Sequence, residues 1–425
     1  MTSATGASLD VEGLELATAF GTPLYVYDLS DVRSAYAALR AALPESAGLF
    51  YSLKANPHPE IVRQLAGLGC QAEVSSSGEL SAALAGGVHP SACMYTGPAK
   101  TAEEIQQAIY RGVRMFSIES LAELRRVTSA VESARVCARA LLRINGGRPP
   151  GHSGLVMSGM PSQFGIDADQ LVERPNDFAG TGHLRVVGFH WYVATNVSSA
   201  DELLATFSFA LRSSAELAER LKIDVQFLDL GGGFGHPVGT AGQRYDFSRL
   251  REPIESALAA AFPRRRAGMP RIAFESGRYL VGGAGRLLCQ VRDVKWTKGQ
   301  AFILVDGGIN VLGGMAGLGR VPRMAIEIQK IGQDEDPAPP LADATIAGPL
   351  CTPTDVLARH VQAPSVDRDD VIRIPNVGAY GLTASLLGFL GRPCPVEVVV
   401  DRGTVVSASR LVVTRVSEKR RNVQE

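Results

Sequence analysis

The chain has 425 residues, 45% of them hydrophobic, and its 43 basic and 43 acidic residues give no formal net charge. A neutral chain of this length favours a globular protein with two domains, and it argues against a protein dedicated to nucleic acids or membrane surfaces. The six cysteines lack CxxC spacing, so they indicate neither a zinc site nor a disulfide scaffold and predict reduced thiols in a cytoplasm. No apolar run approaches the roughly 20 residues that cross a bilayer, and the first ten residues lack the features of a secretory signal.

A short strand-like segment, 24–28, comes first and is expected to pair into a later β domain. After it, helical patterns such as 31–42, 59–68, 102–110 and 200–221 alternate with strands. Eight segments have the apolar character of buried strands and are each followed by a crossover: 49–53, 71–74, 94–96, 115–117, 141–144, 186–189, 227–230 and 271–274. Eight such strands predict a (β/α)₈ TIM-like barrel, with an open doubly wound sheet as the alternative.

The sequence changes character after residue 277. The later runs are rich in valine and isoleucine and are broken by glycine and proline: 287–294, 301–305, 371–375, 396–400 and 405–414. They indicate a C-terminal antiparallel β-barrel or sandwich. We therefore predict an α/β protein in three parts, with an N-terminal segment 1–30, a barrel 31–276 and a β domain 277–425.

Lys54 lies in the hexapeptide Tyr-Ser-Leu-Lys-Ala-Asn, directly after the apolar residues 48–50. A lysine at the mouth of an apolar strand loses hydration, which favours an amine that acts as a nucleophile or forms a Schiff base. A solvated lysine at the end of a strand is the alternative, and the hexapeptide alone favours that alternative.

Two further segments follow predicted strands and could approach an anion. Gly231, Gly232 and Gly233 come after the strand 227–230, where backbone without side chains offers N–H donors. The segment Glu-Ser-Gly-Arg at 275–278 follows the last barrel strand, the other usual phosphate-binding region of a barrel. A tight turn is the alternative for the glycines, and a surface ion pair between Glu275 and Arg278 is the alternative for the second segment.

Together these segments resemble the barrel-type, fold type III decarboxylases that use pyridoxal 5′-phosphate (PLP) on ornithine, arginine or diaminopimelate, with alanine racemase more distant. The resemblance runs from about residue 21 to about residue 401. It implies that Lys54 carries PLP as a Schiff base, and that the glycine run 231–233 holds the phosphate with Gly277 and Arg278. It also implies that Tyr380, in Gly-Ala-Tyr-Gly, closes over the phosphate.

The resemblance assigns further cofactor contacts. Glu73 matches a carboxylate near the cofactor. In Phe-His-Trp-Tyr-Val-Ala-Thr-Asn, aligning Thr195 with a phosphate-binding serine puts Tyr192 in the place of the family's ring-stacking histidine. An aromatic ring stacks equally well but lacks an imidazole's positive charge. His190 matches the first histidine of the diaminopimelate pattern and is assigned to substrate binding, with a satisfied core histidine as the alternative.

Glu275 and Cys351 indicate the reaction. A carboxylate against the pyridine nitrogen keeps that nitrogen protonated, so the ring draws in the electrons released as CO₂ leaves. Glu275 matches this carboxylate, whereas the racemases use arginine there, so the resemblance implies decarboxylation. Cys351, after Gly-Pro-Leu, matches a cysteine that family members place in the partner subunit's active site. That match implies a proton donor and a homodimer with composite sites, and a small buried hydrophobe is the alternative.

The residues that would select a substrate depart from the familiar enzymes. Thr352 and Gly307 stand where ornithine decarboxylases have acidic residues, while Asp355 matches a shared acidic position. We assign Thr352 and Asp355 to substrate binding without naming the substrate. The departures resemble decarboxylases of secondary-metabolite and siderophore pathways, some of which act on carrier-protein-linked or citrate-linked amino acids. The small residues of 307–319 would leave room for such a substrate or form a flexible loop.

Three alternatives stay open. Diaminopimelate decarboxylase of lysine biosynthesis is the nearest. A PLP-dependent racemase is another, although Glu275 speaks against it. A non-catalytic PLP-carrier protein is the third, and the β-rich C-terminal region together with Cys351 disfavours it.

Overall fold

The computed structural model describes residues 4–147, 155, 156, 159, 161–263, 268–313, 326–332 and 338–417, without the side chains of 4–11, 155 and 156. Part of the small-residue stretch, 314–319, therefore lies outside the described residues. The α-helices are α1 (Ala4–Phe20), α2 (Leu29–Ala42), α3 (Pro59–Gly67), α4 (Ser77–Ala85), α5 (Ala102–Tyr110), α6 (Leu121–Ala134), α7 (Ala168–Glu173), α8 (Ala200–Leu221), α9 (Arg251–Ala261) and α10 (Arg278–Val281).

The strands are β1 (Leu24–Asp28), β2 (Gly48–Ser52), β3 (Gln71–Val74), β4 (Cys93–Tyr95), β5 (Met115–Ile118), β6 (Ala138–Asn145), β7 (Leu155–Val156), β8 (Ile166–Asp167), β9 (Leu184–His190), β10 (Ala194–Thr195), β11 (Phe227–Asp229), β12 (Arg271–Ser276), β13 (Gly285–Thr297), β14 (Gln300–Val305), β15 (Gln329–Lys330), β16 (Leu341–Ala347), β17 (Val356–Ala363), β18 (Val371–Ile374), β19 (Val396–Asp401) and β20 (Thr404–Arg410).

Serine and threonine side chains begin several of the barrel helices. Ser76, Ser120 and Ser199 each accept a hydrogen bond from the N–H three residues later, at the starts of α4, α6 and α8. Thr101 and Glu104 form a reciprocal capping box at the start of α5. These caps satisfy N–H groups that the first helical turn leaves without partners. They fix the point at which the chain turns from a strand into its crossover helix.

Eight parallel strands close into a barrel. The order around it is β2, β3, β4, β5, β6, β9, β11 and β12, and β12 pairs with β2. Apolar side chains from six of these strands fill one layer of the interior: Phe50, Met94, Met115, Leu141, Val187 and Ala273. The predicted (β/α)₈ barrel is confirmed, and each of the eight predicted strands is present.

The second sheet is mixed. Its order is β17, β16, β14, β13, β1, β19 and β20, while β18 pairs with β13 and β15. The pairs β13–β14, β13–β18, β16–β17 and β19–β20 are antiparallel, but β14 and β16 pair in parallel. Among the pairs whose direction is described, β14–β16 thus departs from the antiparallel arrangement expected from sequence. A separate apolar core stabilises this sheet: Leu16, Leu24, Val26, Leu288, Ile331, Val398 and Val400.

Packing divides the chain into two compact units. The barrel unit comprises residues 28–285 and 376–379, and the sheet unit comprises 1–27, 286–375 and 380–425. The sequence-based boundary was expected at 276/277, whereas the barrel unit extends to 285 because α10, which follows β12, packs against α2. Across the described parts of the chain, no helix is both long enough and apolar enough to span a bilayer.

Candidate active site

Lys54 lies in a short 3₁₀ turn, Leu53–Ala55, directly after β2. Its Nζ is 3.0 Å from Glu73 Oε2 and 3.1 Å from Glu73 Oε1, and Glu73 lies near the end of β3. The Lys54 side chain is 38% exposed, whereas that of Glu73 is only 3% exposed. The barrel thus presents an accessible amine at its carboxyl-terminal rim and holds that amine with a buried carboxylate.

The surroundings of Glu73 keep it ionised. Burial alone would raise its pKa, but the charge of Lys54 and hydrogen bonds from Ser52, Thr96 and Lys54 outweigh burial and lower the pKa to about 2. Thr96 Oγ1 donates to Glu73 Oε1 over 2.5 Å. An anionic Glu73 therefore faces the lysine throughout the neutral pH range.

Tyr192 lies beside the lysine. Lys54 Nζ is 5.6 Å from the centroid of the Tyr192 ring, and Cζ of Arg143 is 5.8 Å from the same centroid. Arg143 also lies 4.7 Å from the Phe164 ring and forms a 2.6 Å ion pair with Glu119. Cations at these distances interact favourably with an aromatic face. Sequence reasoning missed Arg143 and Glu119, although a charged residue inside the apolar strand β6 was a usable signal.

The glycine run lies flush against the ends of neighbouring strands. A Cβ on Gly231 would lie 2.1 Å from the Trp191 carbonyl oxygen, and one on Gly232 would lie 2.7 Å from the carbonyl oxygen of Glu275. Gly231 and Gly233 also have φ values of 73° and 103°, which L side chains rarely adopt. The run therefore requires glycine, and its bare backbone forms a cradle suited to an oxyanion.

Gly277 and Arg278 directly follow β12, at the rim of the barrel that carries Lys54. Gly277 precedes α10, and a Cβ on it would lie 2.7 Å from the Ala55 Cβ in the lysine turn. Arg278 is the first residue of α10, and Thr195 lies in β10. The structure thus brings the end of β12 against the turn that carries Lys54.

Glu275 is buried inside the barrel at the end of β12. Its Oε1 lies 3.2 Å from His190 Nε2, and Ser117 Oγ lies 2.7 Å from His190 Nδ1. Among the described residues, neither Glu275 Oε1 nor His190 Nε2 has an aligned hydrogen-bond partner. A buried carboxylate oxygen without a partner fits the protonated nitrogen of a pyridine ring. His190, assigned from sequence to substrate binding, is grouped by the structure with Glu275.

The remaining predicted site residues belong to the sheet unit. Cys351 is exposed, Thr352 is half-buried, and Tyr380 has a positive φ of 56°. Their assignment to the active site stays a prediction of the sequence.

Asp355 is buried, and its carboxylate is already engaged. Oδ1 accepts the N–H of Ile309 over 2.8 Å, and Oδ2 accepts the N–H of Leu350 over 2.6 Å. This geometry favours a structural role over the substrate contact expected from sequence, because both carboxylate oxygens hold backbone segments in place.

Comparison with known families agrees with this arrangement. The family model for the pyridoxal-binding domain of pyridoxal-dependent decarboxylases matches residues 29–282. This range includes Lys54, Glu73, the glycine run and Glu275. The chain belongs to the pyridoxal-dependent decarboxylase family. Its cofactor is PLP, and the predictions of fold type, cofactor and amino-acid decarboxylase chemistry are confirmed.

Similar relatives cover almost the whole decarboxylase chain. The L-glutamyl-[BtrI acyl-carrier protein] decarboxylase of Niallia circulans is 31% identical over 91% of this chain and 90% of its own. The diaminopimelate decarboxylase of Aquifex aeolicus is 30% identical over 93% of this chain and 91% of its own. The crystal structure of diaminopimelate decarboxylase from M. jannaschii with L-lysine is 27% identical, with a TM-score of 0.82 and coverage of 92% and 90%.

We predict that Gly232→Ala destabilises the protein, because the new Cβ would lie 2.7 Å from the Glu275 carbonyl oxygen. Overpacking of this kind costs about 1–3 kcal/mol. Urea unfolding of the apo protein measures the change in unfolding free energy. Gly67→Ala, where nothing lies within 4 Å of an added Cβ, is the control. Equal stability of the two variants would show that the cradle tolerates a side chain.

We predict a distinct acid dependence for Glu73→Gln. The pKa of Glu73 falls from 4.5 to about 2 on folding, so its stabilisation is complete above pH 4.5 and is lost as the pH falls toward about 2. The difference in unfolding free energy between wild type and Glu73→Gln should therefore narrow across this window, measured by urea unfolding of the apo proteins.

Glu103→Gln is the control for that experiment, because Glu103 is exposed in the first turn of α5. This variant should follow the wild-type profile. A constant difference between wild type and Glu73→Gln at every pH would contradict the charge assigned to Glu73.

Proposed function

We propose that this decarboxylase uses Lys54 as the cofactor anchor, with Glu275 facing the pyridine nitrogen. The observation that carries this assignment is the pair of buried carboxylates at one rim of the barrel. Glu73 holds the Lys54 amine, while Glu275 keeps one oxygen without an aligned partner among the described residues. When bound, PLP supplies an electron sink for the electron pair released as the α-carboxylate leaves as CO₂.

The other residues of the barrel unit hold the cofactor in place. Gly231, Gly232 and Gly233 hold the phosphate with Gly277, Arg278 and Thr195 beside them; Gly232 and Gly233 offer N–H donors, while the N–H of Gly231 is donated to Asp229. The Tyr192 ring stacks on the pyridine and lies near both Lys54 and Arg143. Lys54 and Arg143 thus supply positive charge beside Tyr192, which replaces the family's histidine and cannot carry the charge of an imidazole.

Residues of the sheet unit complete the proposal. Tyr380 closes over the phosphate, and Cys351 of one subunit donates a proton to the substrate Cα in the site of its partner. The protein is therefore a homodimer with composite sites. All six cysteines are free, which supports a reducing cytoplasm as the compartment.

For the substrate, we propose an amino acid whose side chain carries no free ammonium, such as one tethered to a carrier protein. The two carboxylates nearest the departures in sequence are already engaged. Asp355 accepts two backbone N–H groups. Asp306 accepts hydrogen bonds from Thr22 Oγ1, the N–H of Gln290 and the guanidinium of Arg292. A distal ammonium that found no open carboxylate would lose hydration without compensation.

A relative that acts on a glutamyl acyl-carrier protein supports this choice, and diaminopimelate decarboxylases at similar identity support the alternative. The experiment measures CO₂ release from the purified holoenzyme with meso-diaminopimelate, ornithine, lysine, glutamate and glutamyl-carrier thioester. We expect release from the thioester and little from the diamino acids. Efficient turnover of meso-diaminopimelate would overturn the tethered-substrate proposal, and racemisation without CO₂ would overturn decarboxylation by this chain.

We predict that Lys54→Ala abolishes both CO₂ release and the visible absorption band of covalently held PLP, because the variant lacks the amine that forms the bond. Absorption spectroscopy after dialysis against PLP-free buffer measures the loss. Lys222→Ala, at a helix C-terminus, is the control and should keep the band. A persistent band in Lys54→Ala would refute the anchor assignment.

We predict that mixing two inactive variants restores activity. Each composite site takes Lys54 from one subunit and Cys351 from the other, so a dimer of one Lys54→Ala chain and one Cys351→Ala chain retains one intact site. Random exchange of subunits gives half mixed dimers, so about a quarter of wild-type CO₂ release should return. Return of no activity, with subunit exchange verified by a tagged chain, would contradict composite sites.

A further inference from the structure

A buried polar cluster inside the barrel comprises Glu275 and three residues that the proposed function does not use directly. Ser117 on β5, His190 on β9, Asp229 on β11 and Glu275 on β12 come from four different strands. Each of the four residues is at most 1% exposed. Polar groups buried this deeply destabilise a core unless they pair with one another or with a bound group. The cluster therefore needs a functional explanation.

The cluster forms a directional chain. Glu275 Oε1 lies 3.2 Å from His190 Nε2 without an aligned hydrogen bond between them, and a carboxylate oxygen at this distance favours a ring proton on Nε2. In the neutral ring Nδ1 then only accepts, so the Ser117 hydroxyl donates to it over 2.7 Å. Ser117 thus holds Nδ1 in the tautomer whose N–H faces Glu275.

Asp229 is the fourth member of the cluster, and burial shifts its pKa. Its Oδ1 accepts the N–H of Gly231 over 2.8 Å. One ring nitrogen of His190 and one carboxylate oxygen each of Asp229 and Glu275 lie within 4.8 Å of one another. Burial, and next the charge of Glu275, raises the pKa of Asp229 well above its usual range. The raised pKa favours the neutral form of Asp229, which lessens its repulsion with the nearby Glu275.

We propose that His190, whose Nδ1 is held by Ser117, is a positioning residue that orients Glu275 toward the pyridine nitrogen of PLP. This proposal rests on the proposed role of Glu275. In this role His190 acts through Glu275 and touches neither the substrate nor the reacting atoms. It gives a role to the two residues that the sequence did not assign, Ser117 and Asp229.

The test compares His190→Asn with His190→Gln in the holoenzyme. The glutamine amide can place an N–H near the position of Nε2, whereas the shorter asparagine leaves Glu275 without that donor. We expect His190→Asn to weaken PLP affinity by about tenfold, the size of loss seen when a metal ligand loses its orienting partner, and to shift the absorption of bound PLP. His190→Gln should retain most of the wild-type affinity and spectrum.

A double-mutant cycle with Glu275→Gln separates positioning from general destabilisation. If His190 acts through Glu275, adding His190→Asn to Glu275→Gln should change PLP affinity little further. Ser117→Ala should shift the spectrum in the same direction as His190→Asn, and it decides the proposal if the His190 variants fail to fold. His183→Asn, at an exposed histidine that contacts the Val136 carbonyl oxygen, is the control and should match wild type.

Several outcomes would overturn the proposal. Unchanged affinity and spectrum in His190→Asn, equal losses in the Asn and Gln variants, or additive effects in the cycle would each do so. Stoichiometric Zn²⁺ binding to the apo protein that His190→Asn removes would instead identify the cluster as a metal site. Because PLP affinity and spectra are read without turnover, a failure of the proposed reaction would appear separately, as normal PLP binding without CO₂ release.

Discussion

Closure of the barrel is the constraint on which the site depends. β12 pairs with β2 in a register that places Glu275 beside Phe50 and Ser276 beside Tyr51. That pairing sets the glycine before α10 against the turn that carries Lys54. In the same way, the neighbouring strands β2 and β3 place Ser52 beside Glu73. Parallel strands end at one rim, so residues from distant parts of the chain meet there.

The pKa values of two buried carboxylates at this rim shift in opposite directions, because their neighbours differ. Glu73 has a cation and several hydrogen-bond donors within reach, so it stays charged although it is buried. Asp229 has one backbone donor and a second carboxylate nearby, so burial and repulsion favour its neutral form. The barrel thus keeps a carboxylate charged beside the lysine and favours the neutral form of Asp229, which has no cation as an ion-pair partner among the described residues.

Most of the barrel could be predicted from sequence, because buried strands and amphipathic helices alternate with a clear period; α8, for example, has the predicted bounds. The helix α1 was missed, since its small and polar residues resemble an unstructured terminus. The strands β16 and β17 were missed because residues such as Asp343 and His360 interrupt their apolar character.

The site was predicted unevenly. The motifs around Lys54 and Glu275 are local and visible in the sequence. Ser117 and Asp229 were not assigned, because one polar residue in an apolar strand is ordinary until the fold shows what it faces. The engagement of Asp355 also depends on contacts with Ile309, far away in sequence, which no local pattern reports.

The carboxylate of Asp355 has a consequence for protein engineering. It fastens the turn around Ile309 to the segment that ends in Cys351, and an added Cβ at Gly308 or Gly348 would collide with the same carboxylate. Grafting either segment alone, with a side chain at one of these glycines, would push the carboxylate away from its two backbone donors. A chimera meant to change the preferred amino acid must therefore exchange residues 306–310 and 348–355 together, as one cassette.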